Sequence, residues 1–297
     1  MISNSTASII YDDKSLGLET HSLFRKFVNI FFVPIINNLP NGFSEYIKKS
    51  NPAAAKVIEN VTNHDALEVL YSKGDIISKN KKNSFITKIF QNIWFNLGNP
   101  KAVRNRLKLV IKEMHLHLES IAKKDREINI ISIASGSSRA IVEVVKKSSY
   151  LNDTKLSITF LDKNPKAIEY SKNLCRNILD VNLNWINDSA GNFLRNGTDK
   201  KFDIVEIVGL FDYFNNEKVE EALKGIYNIL QDGGVVITAN INHNEEEKFM
   251  NNTMNWPMIY RSAEELALIA EKAGFSKNKM KVFYEPLKIH GMVVAEK

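Results

Sequence analysis

The feature that most constrains the fold is a change of pattern near residue 128, where short apolar runs begin to alternate with amphipathic segments. Short apolar runs between turns are typical of buried strands, and the segments between them have the spacing of helices. This alternation predicts right-handed crossovers and an α/β fold with a mostly parallel sheet that carries helices on both faces. The predicted strands are residues 128–133, 156–161, 183–186, 202–208 and 235–239, and the predicted helices are 139–147, 165–179 and 217–230.

The end of the chain predicts a different kind of strand pairing. Two late apolar runs, residues 279–284 and 289–295, surround the turn-forming sequence Glu285-Pro286-Leu287. They are expected to form an antiparallel hairpin at one edge of the sheet.

The first 126 residues have helical periodicity and predict an all-helical domain that covers the substrate site, followed by an α/β domain at 127–297. The most apolar window, 27–36, is too short to span a bilayer, and it predicts a helix that is buried or lines a pocket. A helix lying on a membrane surface is the alternative. The helical domain is also a candidate surface for a homodimer.

The net charge of +6 is concentrated in the first 125 residues, which hold 18 basic and 11 acidic side chains. Within residues 79–112 there are nine basic residues and no acidic one: Lys79, Lys81, Lys82, Lys88, Lys101, Arg104, Arg106, Lys108 and Lys112. A basic run of this kind is interpreted as a solvated face, or as a surface for an anionic acceptor, a carrier protein or nucleic acid. Arg104 and Arg106 are near enough in the chain to be candidates for binding a cofactor carboxylate.

A single cysteine, Cys175, excludes an internal disulfide and a cysteine-built metal site, and six histidines show no metal-binding spacing. No metal is therefore expected. The chain shows neither an export signal nor a transmembrane stretch, and we expect a cytoplasmic protein.

The ends of the predicted strands carry the candidate ligand-binding residues, because ligands of open parallel sheets bind beyond the carboxyl ends of the strands. Gly136 lets the first loop turn tightly, and the helix beginning near Arg139 offers free N–H groups. Asp162 follows the second strand and is placed to accept hydrogen bonds from two ribose hydroxyls. Asp188 and Ser189 follow the third strand and are placed to contact an adenine edge. This order of features predicts a nucleoside-bearing cofactor.

Residues 128–297 resemble the class I S-adenosylmethionine-dependent methyltransferases, which have a Rossmann-like fold. The family's first strand carries an acid and a Gly-x-Gly-x-Gly loop, and the matching positions here are Ser132 for the acid and Ala134, Gly136 and Ser138 for the glycines. The resemblance to this family extends to residues 202–211, the Gly233-Gly234 turn and the segment 260–275. The resemblance implies S-adenosylmethionine as cofactor and S-adenosylhomocysteine as product. The implied cofactor-binding residues are Ala134, Ser135, Gly136, Ser138, Arg139, Asp162, Lys163, Asp188, Ser189, Gly209 and Leu210.

Within that family, Gly209 to Tyr213 and Trp256 to Arg261 resemble a bacterial subgroup that methylates small molecules or fatty-acyl-type acceptors. The expected function is methylation of a small-molecule or carrier-bound acceptor, with oxygen, nitrogen and carbon all open as the accepting atom. His243, just beyond the fifth strand, and Tyr213, beyond the fourth, are the candidate general bases. An RNA methyltransferase and a cofactor-binding module without activity are the alternatives. A nicotinamide-dependent oxidoreductase is disfavoured because the chain lacks a Gly-x-Gly-x-x-Gly loop.

Overall fold

A computed structural model of the chain describes residues 9–11, 13–40, 42–61, 63–73, 85–122, 127–147, 151, 154–178 and 180–297. Within these residues, eight strands form one sheet in the order β1-β7-β8-β6-β5-β2-β3-β4. The strands are β1 (Ile9–Ile10), β2 (Ile128–Ile133), β3 (Leu156–Leu161), β4 (Val181–Ile186), β5 (Phe202–Val208), β6 (Leu230–Ile241), β7 (Met280–Tyr284) and β8 (His290–Glu296). The predicted fold class is confirmed.

The central strands are parallel, and the direction of chain progression reverses between β2 and β5. From β2 the chain runs outward to β3 and β4, then returns to pair β5 beside β2 and β6 beside β5. Such a reversal leaves a crevice at the carboxyl ends of β2 and β5, which is where ligands bind in open α/β sheets. The predicted late hairpin is β7–β8, and both β7 and β6 are antiparallel to β8.

Eleven helices are described outside the sheet. They are α1 (Leu23–Asn37), α2 (Phe43–Ser50), α3 (Pro52–Glu59), α4 (His64–Tyr71), α5 (Phe85–Phe95), α6 (Gly98–Ala122), α7 (Arg139–Lys147), α8 (Pro165–Leu174), α9 (Ala190–Asn196), α10 (Asn216–Ile229) and α11 (Ala263–Lys272). Their starts follow local rules: Asn164 caps α8 ahead of Pro165, and Ser262 forms a capping box with Glu265 at α11.

The two faces of the sheet bury separate apolar cores. One core joins α6, α7 and the end of α8 to residues of β2, β3 and β6, including Leu109, Met114 and Ile130. The other joins α10 and α11 to the opposite face, around Val205 and Leu266. A third core lies within the helical part, where α1, α3, α4 and α5 pack against the segment 249–256.

Contacts cross the predicted domain boundary at residue 126, which itself stays a prediction. Helix α6 packs directly on the sheet, and β1 pairs with β7 at the outer edge of the hairpin. Among the described residues before 127, the regular elements are helices apart from β1 and the 3-10 turn Lys14–Leu16. Strand β1 covers the edge of the hairpin over two residues. A two-residue edge strand has too little pattern to be found from sequence.

The five cations of α6 in the basic run do not form a solvated face, whereas Lys88 on α5 is exposed, so this expectation is corrected for α6 alone. Lys101 contacts the carbonyl of Thr20 and Arg104 binds Glu19. Lys108 binds the carbonyl of Gly17, and Lys112 binds Tyr11 and Asp13. Arg106 is buried and faces Asp212. These five cations of α6 thus fasten the segment 11–21 and line the interior, whereas Lys79, Lys81 and Lys82 lie outside the described residues.

Helix α1 differs from its expected burial. Asn29, Val33 and Ile36 are buried, but Phe27, Ile30, Phe31 and Ile35 are exposed to more than half of their area. No helix among the described residues is long and apolar enough to cross a bilayer.

Candidate active site

A cavity of about 480 Å³ lies at the carboxyl ends of β2 to β6, between the sheet and the helical segment. Its lining includes nine of the thirteen predicted site residues: Ala134, Gly136, Asp162, Lys163, Asp188, Ser189, Gly209, Leu210 and Tyr213. The strand ends therefore converge as the sheet order requires. Ser135, Ser138, Arg139 and His243 are not among the residues that line this cavity.

The loop after β2 turns through three left-handed residues. Ala134, Gly136 and Ser138 have φ values of 55°, 51° and 61°. Only glycine adopts this region without a steric cost, so Ala134 and Ser138 carry strain at the two positions where the methyltransferase family has glycine. The turn is held because the Gly136 N–H donates to Asp162 Oδ2 over 2.8 Å. Ala134 and Gly136 of this loop line the cavity.

Two carboxylates stand at the ends of neighbouring strands on the same wall. Asp162 follows β3 and accepts hydrogen bonds from the N–H groups of Gly136 and Asn164, each over 2.8 Å. Asp188 follows β4 and accepts from the Ser189 N–H over 2.7 Å. Each carboxylate oxygen has two lone pairs, so both groups retain capacity to accept hydroxyl or amino hydrogens from a ligand. This donor and acceptor set fits the sugar and base of a nucleoside.

Arg139 was predicted to bind the cofactor at the start of α7, which stays a prediction, but its side chain is engaged elsewhere. Its guanidinium binds both carboxylate oxygens of Glu68 on α4, including an Nε–Oε1 distance of 2.9 Å. Burial opposes ionisation of Glu68, but hydrogen bonds from Arg139 and Ser137 hold its pKa below the usual range. Tyr170 donates to the same carboxylate over 2.9 Å. Arg139 thus fastens α4 to the cofactor loop.

Ser135 and Ser138 also lie behind the cavity wall. The two Oγ atoms of Ser138 and Ser171 are 2.8 Å apart, and the Trp185 indole donates to the Ser171 hydroxyl over 3.0 Å. Ser135 lines a smaller cavity of about 60 Å³ on the inner side of the loop. Both serines support the loop from behind.

Ser132 occupies the position where the family's first strand carries an acid, and the neighbouring strand supplies a carboxylate instead. Ser132 pairs with Glu206 across β2 and β5, and the Ser132 hydroxyl donates to Glu206 Oε2. Burial raises the pKa of Glu206 to about 7, against the lowering effects of the Ser132 hydrogen bond and the Arg106 charge. Sequence reasoning missed Glu206 because nothing in its own strand distinguishes it from any other acid.

The far wall of the cavity is mostly apolar. It is formed by helices α4 to α6 and by the segment that follows β6, and its apolar side chains are Leu67, Leu70, Trp94, Val103, Ile241, Met250, Trp256 and Met258. Most of these residues belong to helices whose sequence pattern shows only that one face is buried. A pocket wall assembled from both parts of the chain leaves no local motif.

One group of buried polar side chains stands out in this wall. Asp212 Oδ2 lies 3.6 Å from Arg106 Nη1, and Asp212 Oδ1 accepts from the Ile241 N–H over 2.7 Å. Burial raises the pKa of Asp212, and the charge of Arg106 opposes this. The Nδ1 atom of His290 lies 3.5 Å from the same Arg106 nitrogen. Burial and Arg106 lower the pKa of His290 well below its usual value, so the ring is neutral.

Tyr213 lines the cavity as expected, but its ionisation does not suit a base. Burial raises its pKa to about 12, so the phenol keeps its proton at neutral pH. The hydroxyl oxygen accepts a hydrogen bond from the Trp256 indole over 2.7 Å, and its own hydrogen stays available to a ligand. Tyr213 is therefore suited to orient an acceptor.

His243 does not line the cavity, so its position gives no support to its interpretation as the base, which stays a prediction. Its side chain is 69% exposed and its Nδ1 atom is 2.9 Å from Glu247 Oε2. The ring stacks on Tyr260 with centroids 5.5 Å apart. The strand was predicted to end at residue 239, but β6 continues to Ile241, which is the residue of this strand that lines the cavity. Among the described residues, no group of three or more His, Cys, Asp or Glu side chains is arranged to hold a metal ion.

The fold and the cavity together define a nucleoside-cofactor enzyme of the open α/β class. The model of a protein family described as "Putative methyltransferase" matches residues 72–297. The chain belongs to this methyltransferase family, as the sequence resemblance predicted.

Solved structures share the fold at low sequence identity. A possible exported protein from Bordetella parapertussis is 14% identical with a TM-score of 0.60, covering 72% of this chain and 73% of its own. Magnesium protoporphyrin IX methyltransferase (ChlM) from Synechocystis PCC 6803, with bound SAH, is 8% identical with a TM-score of 0.51, covering 68% and 87%. The CurJ carbon methyltransferase is 11% identical with a TM-score of 0.51, covering 86% and 68%. No curated protein sequence matches significantly.

Proposed function

We propose that this chain is an S-adenosylmethionine-dependent methyltransferase that methylates a hydroxyl oxygen on an apolar small molecule. The proposal rests on one observation: the strand-end residues suited to a nucleoside open into the same cavity as an apolar wall that contains a buried carboxylate, Asp212. The family match and the relative that binds SAH support the choice of cofactor. When bound, S-adenosylmethionine would supply a methyl carbon on a sulfonium; attack by an oxygen nucleophile would form the C–O bond, break the C–S bond and release S-adenosylhomocysteine.

The cofactor-binding residues have separate tasks in this proposal. Asp162 accepts hydrogen bonds from the ribose hydroxyls, and Asp188 accepts from the adenine side. The left-handed turn at Gly136 keeps side chains away from the cofactor. Arg106 is a buried cation beside Gly209: a Cβ atom added to Gly209 would lie 3.6 Å from Arg106 Nη2. It is the residue proposed to pair with the cofactor carboxylate, whereas Arg104 is occupied by Glu19.

The acceptor side provides positioning and a proton acceptor. Apolar side chains such as Leu70, Met250 and Met258 exclude water and favour an apolar acceptor. The Tyr213 hydroxyl orients the acceptor oxygen, and the carboxylate of Asp212 takes its proton as the new C–O bond forms. A carboxylate whose pKa is raised by burial is a stronger base than an exposed one.

The other sequence predictions are affected to different extents. The cations of α6 are occupied within the chain, which disfavours them as an RNA-binding face, and the RNA methyltransferase alternative stays a prediction. A carrier-bound acceptor, a homodimer, a cytoplasmic location and a role in bacterial small-molecule metabolism stay predictions.

Methyl transfer measured as S-adenosylhomocysteine release tests the proposal. The assay offers a panel of apolar phenols and alcohols to the wild-type chain and to Asp212→Asn, which keeps the acceptor for the Ile241 N–H. We expect turnover on a hydroxyl acceptor and a loss of at least a hundredfold in kcat for Asp212→Asn. Asp232→Asn, at a side chain that is 99% exposed, is the matched control. Methylation of only amine or carbon acceptors, or full activity of Asp212→Asn, would show the proposal to be wrong.

A further inference from the structure

Helix α1 presents an apolar face that no described part of the chain covers. Six large side chains on this face have exposed fractions between 61% and 84%: Leu23, Phe24, Phe27, Ile30, Phe31 and Ile35. At 3.6 residues per turn they occupy one arc of about 140°, opposite the buried arc formed by Asn29, Val33 and Ile36. The outer arc is therefore apolar, and the buried arc is apolar apart from Asn29.

The size of this face sets it apart from ordinary exposed residues. Taking about 200 Å² for each large side chain, the exposed fractions leave roughly 800 Å² of apolar surface. Soluble monomers rarely expose contiguous apolar patches larger than a few hundred Å². Single exposed apolar residues need no explanation, but a continuous arc along a whole helix indicates an interaction surface.

The charges around the face indicate what binds there. Residues 21–44 contain Arg25 and Lys26 but no aspartate or glutamate, and Lys26 is exposed beside the apolar arc. A helix that combines bulky apolar side chains with flanking cations is typical of helices that lie in the membrane interface. A second copy of α1 would add the same two cations and no carboxylate to pair with them. Negatively charged lipid headgroups would instead pair with them.

The position of α1 connects this surface to the cavity. The Asn37 side chain donates to the carbonyl of Glu245 over 2.7 Å and accepts from the Phe249 N–H over 2.9 Å. The next residue along, Met250, lines the apolar wall of the cavity. The end of α1 is thus fastened to the segment that bounds the acceptor pocket.

From these observations we propose that α1 docks the protein on an anionic lipid bilayer, with the arc from Leu23 to Ile35 in the interface. The bilayer is then the source from which an apolar acceptor reaches the cavity. The docking step itself is independent of the proposed methyl transfer, because lipid binding is measured without a substrate.

Vesicle flotation with the full chain tests the proposal. Wild-type protein is mixed with phosphatidylcholine vesicles and with vesicles that also contain phosphatidylglycerol. We expect binding to the anionic vesicles, and a loss of at least tenfold in the partition coefficient for the double variant Phe27→Ser/Phe31→Ser. Lys26→Gln should weaken binding about fivefold, the equivalent of about 1 kcal/mol for one cation near the surface.

The controls separate lipid binding from misfolding and self-association. Leu268→Ser removes another exposed apolar side chain, 56% exposed on α11, and should bind vesicles like the wild type. Thermal unfolding checks that each variant is folded. Absence of wild-type binding to anionic vesicles overturns the proposal, as does equal binding by Phe27→Ser/Phe31→Ser. Sedimentation provides a further test. If the wild type is a dimer that does not bind vesicles, and Phe27→Ser/Phe31→Ser is a monomer, the lipid proposal is overturned and the face is assigned to a second copy.

Discussion

Replacement of Glu206 by glutamine tests the electrostatics of the sheet beneath the cofactor loop. Burial raises the pKa of Glu206 from 4.5 to about 7, while Ser132 and Arg106 act in the opposite direction. The folded protein therefore holds this proton more tightly than the unfolded chain does. Stability from this group is fully present below about pH 4.5 and is lost as the pH rises through 7.

The magnitude follows from the pKa difference. Each unit corresponds to about 1.4 kcal/mol, so the full loss in the free energy of unfolding is about 3 kcal/mol. Glu206→Gln stays neutral at every pH, and its amide oxygen can still accept from the Ser132 hydroxyl. The variant should exceed the wild type by about 3 kcal/mol near pH 8, and by only about 1 kcal/mol near pH 5.

Urea unfolding followed by tryptophan fluorescence between pH 5 and pH 8 provides the measurement. Glu221→Gln, at a carboxylate that is 59% exposed on α10, is the matched control and should keep the wild-type pH dependence. If the curves for Glu206→Gln and the wild type run parallel over this range, the reasoning about the buried carboxylate is refuted.

Three further predictions concern the cavity wall. Ala134→Gly should stabilise the fold by about 0.5–1 kcal/mol in urea unfolding, because glycine adopts the left-handed turn without strain; Ala140→Gly, inside α7, should instead destabilise it, and a similar loss for both would contradict the strain. Arg139→Ala should cost about 2–3 kcal/mol by leaving the buried Glu68 carboxylate unpaired, with no change in cofactor affinity by calorimetry; a tenfold weaker affinity in a folded variant would restore Arg139 to the cofactor site. Tyr213→Phe should lower kcat/KM about tenfold while the pH–rate profile between pH 6 and 9 keeps its shape, because the pKa of about 12 lies above that range; a lost alkaline limb would mean that the phenol acts as a base.

The sequence predicts the sheet because each strand is a local pattern. The observed β2, β3 and β5 begin and end at the predicted residues, and the strand ends Gly136, Asp162 and Asp188 reach one cavity because parallel strands share an edge. The convergence of these strand ends could therefore be predicted from the sequence, whereas their binding of the cofactor stays a prediction.

The acceptor side could not be predicted, because its geometry is set by contacts between distant residues. Arg106 and Asp212 are separated by more than 100 positions, and only the packing of α6 on the sheet brings them within 3.6 Å. A separation of 71 positions likewise hid the pairing of Arg139 with Glu68. His243 shows the reverse error, since proximity to a strand end in the sequence did not place its side chain in the cavity.

The exposure of α1 was covered only by the alternative interpretation of the window 27–36, for another reason. Hydrophobicity indicates that a segment avoids water, but not whether protein or another apolar phase surrounds it. The window 27–36 contains residues on both arcs of the helix, so its composition fits a buried helix and an interfacial one equally well.

The central claim is that the strand-end cavity binds S-adenosylmethionine through Asp162. Isothermal calorimetry with S-adenosylhomocysteine on the wild type, Asp162→Ala and the exposed-site control Asp199→Ala tests it most directly. We expect binding by the wild type and the control, and about a hundredfold weaker binding by Asp162→Ala, since the variant loses a charged acceptor that also holds Gly136. Absence of wild-type binding at millimolar S-adenosylhomocysteine, or equal binding by all three proteins, would contradict the claim.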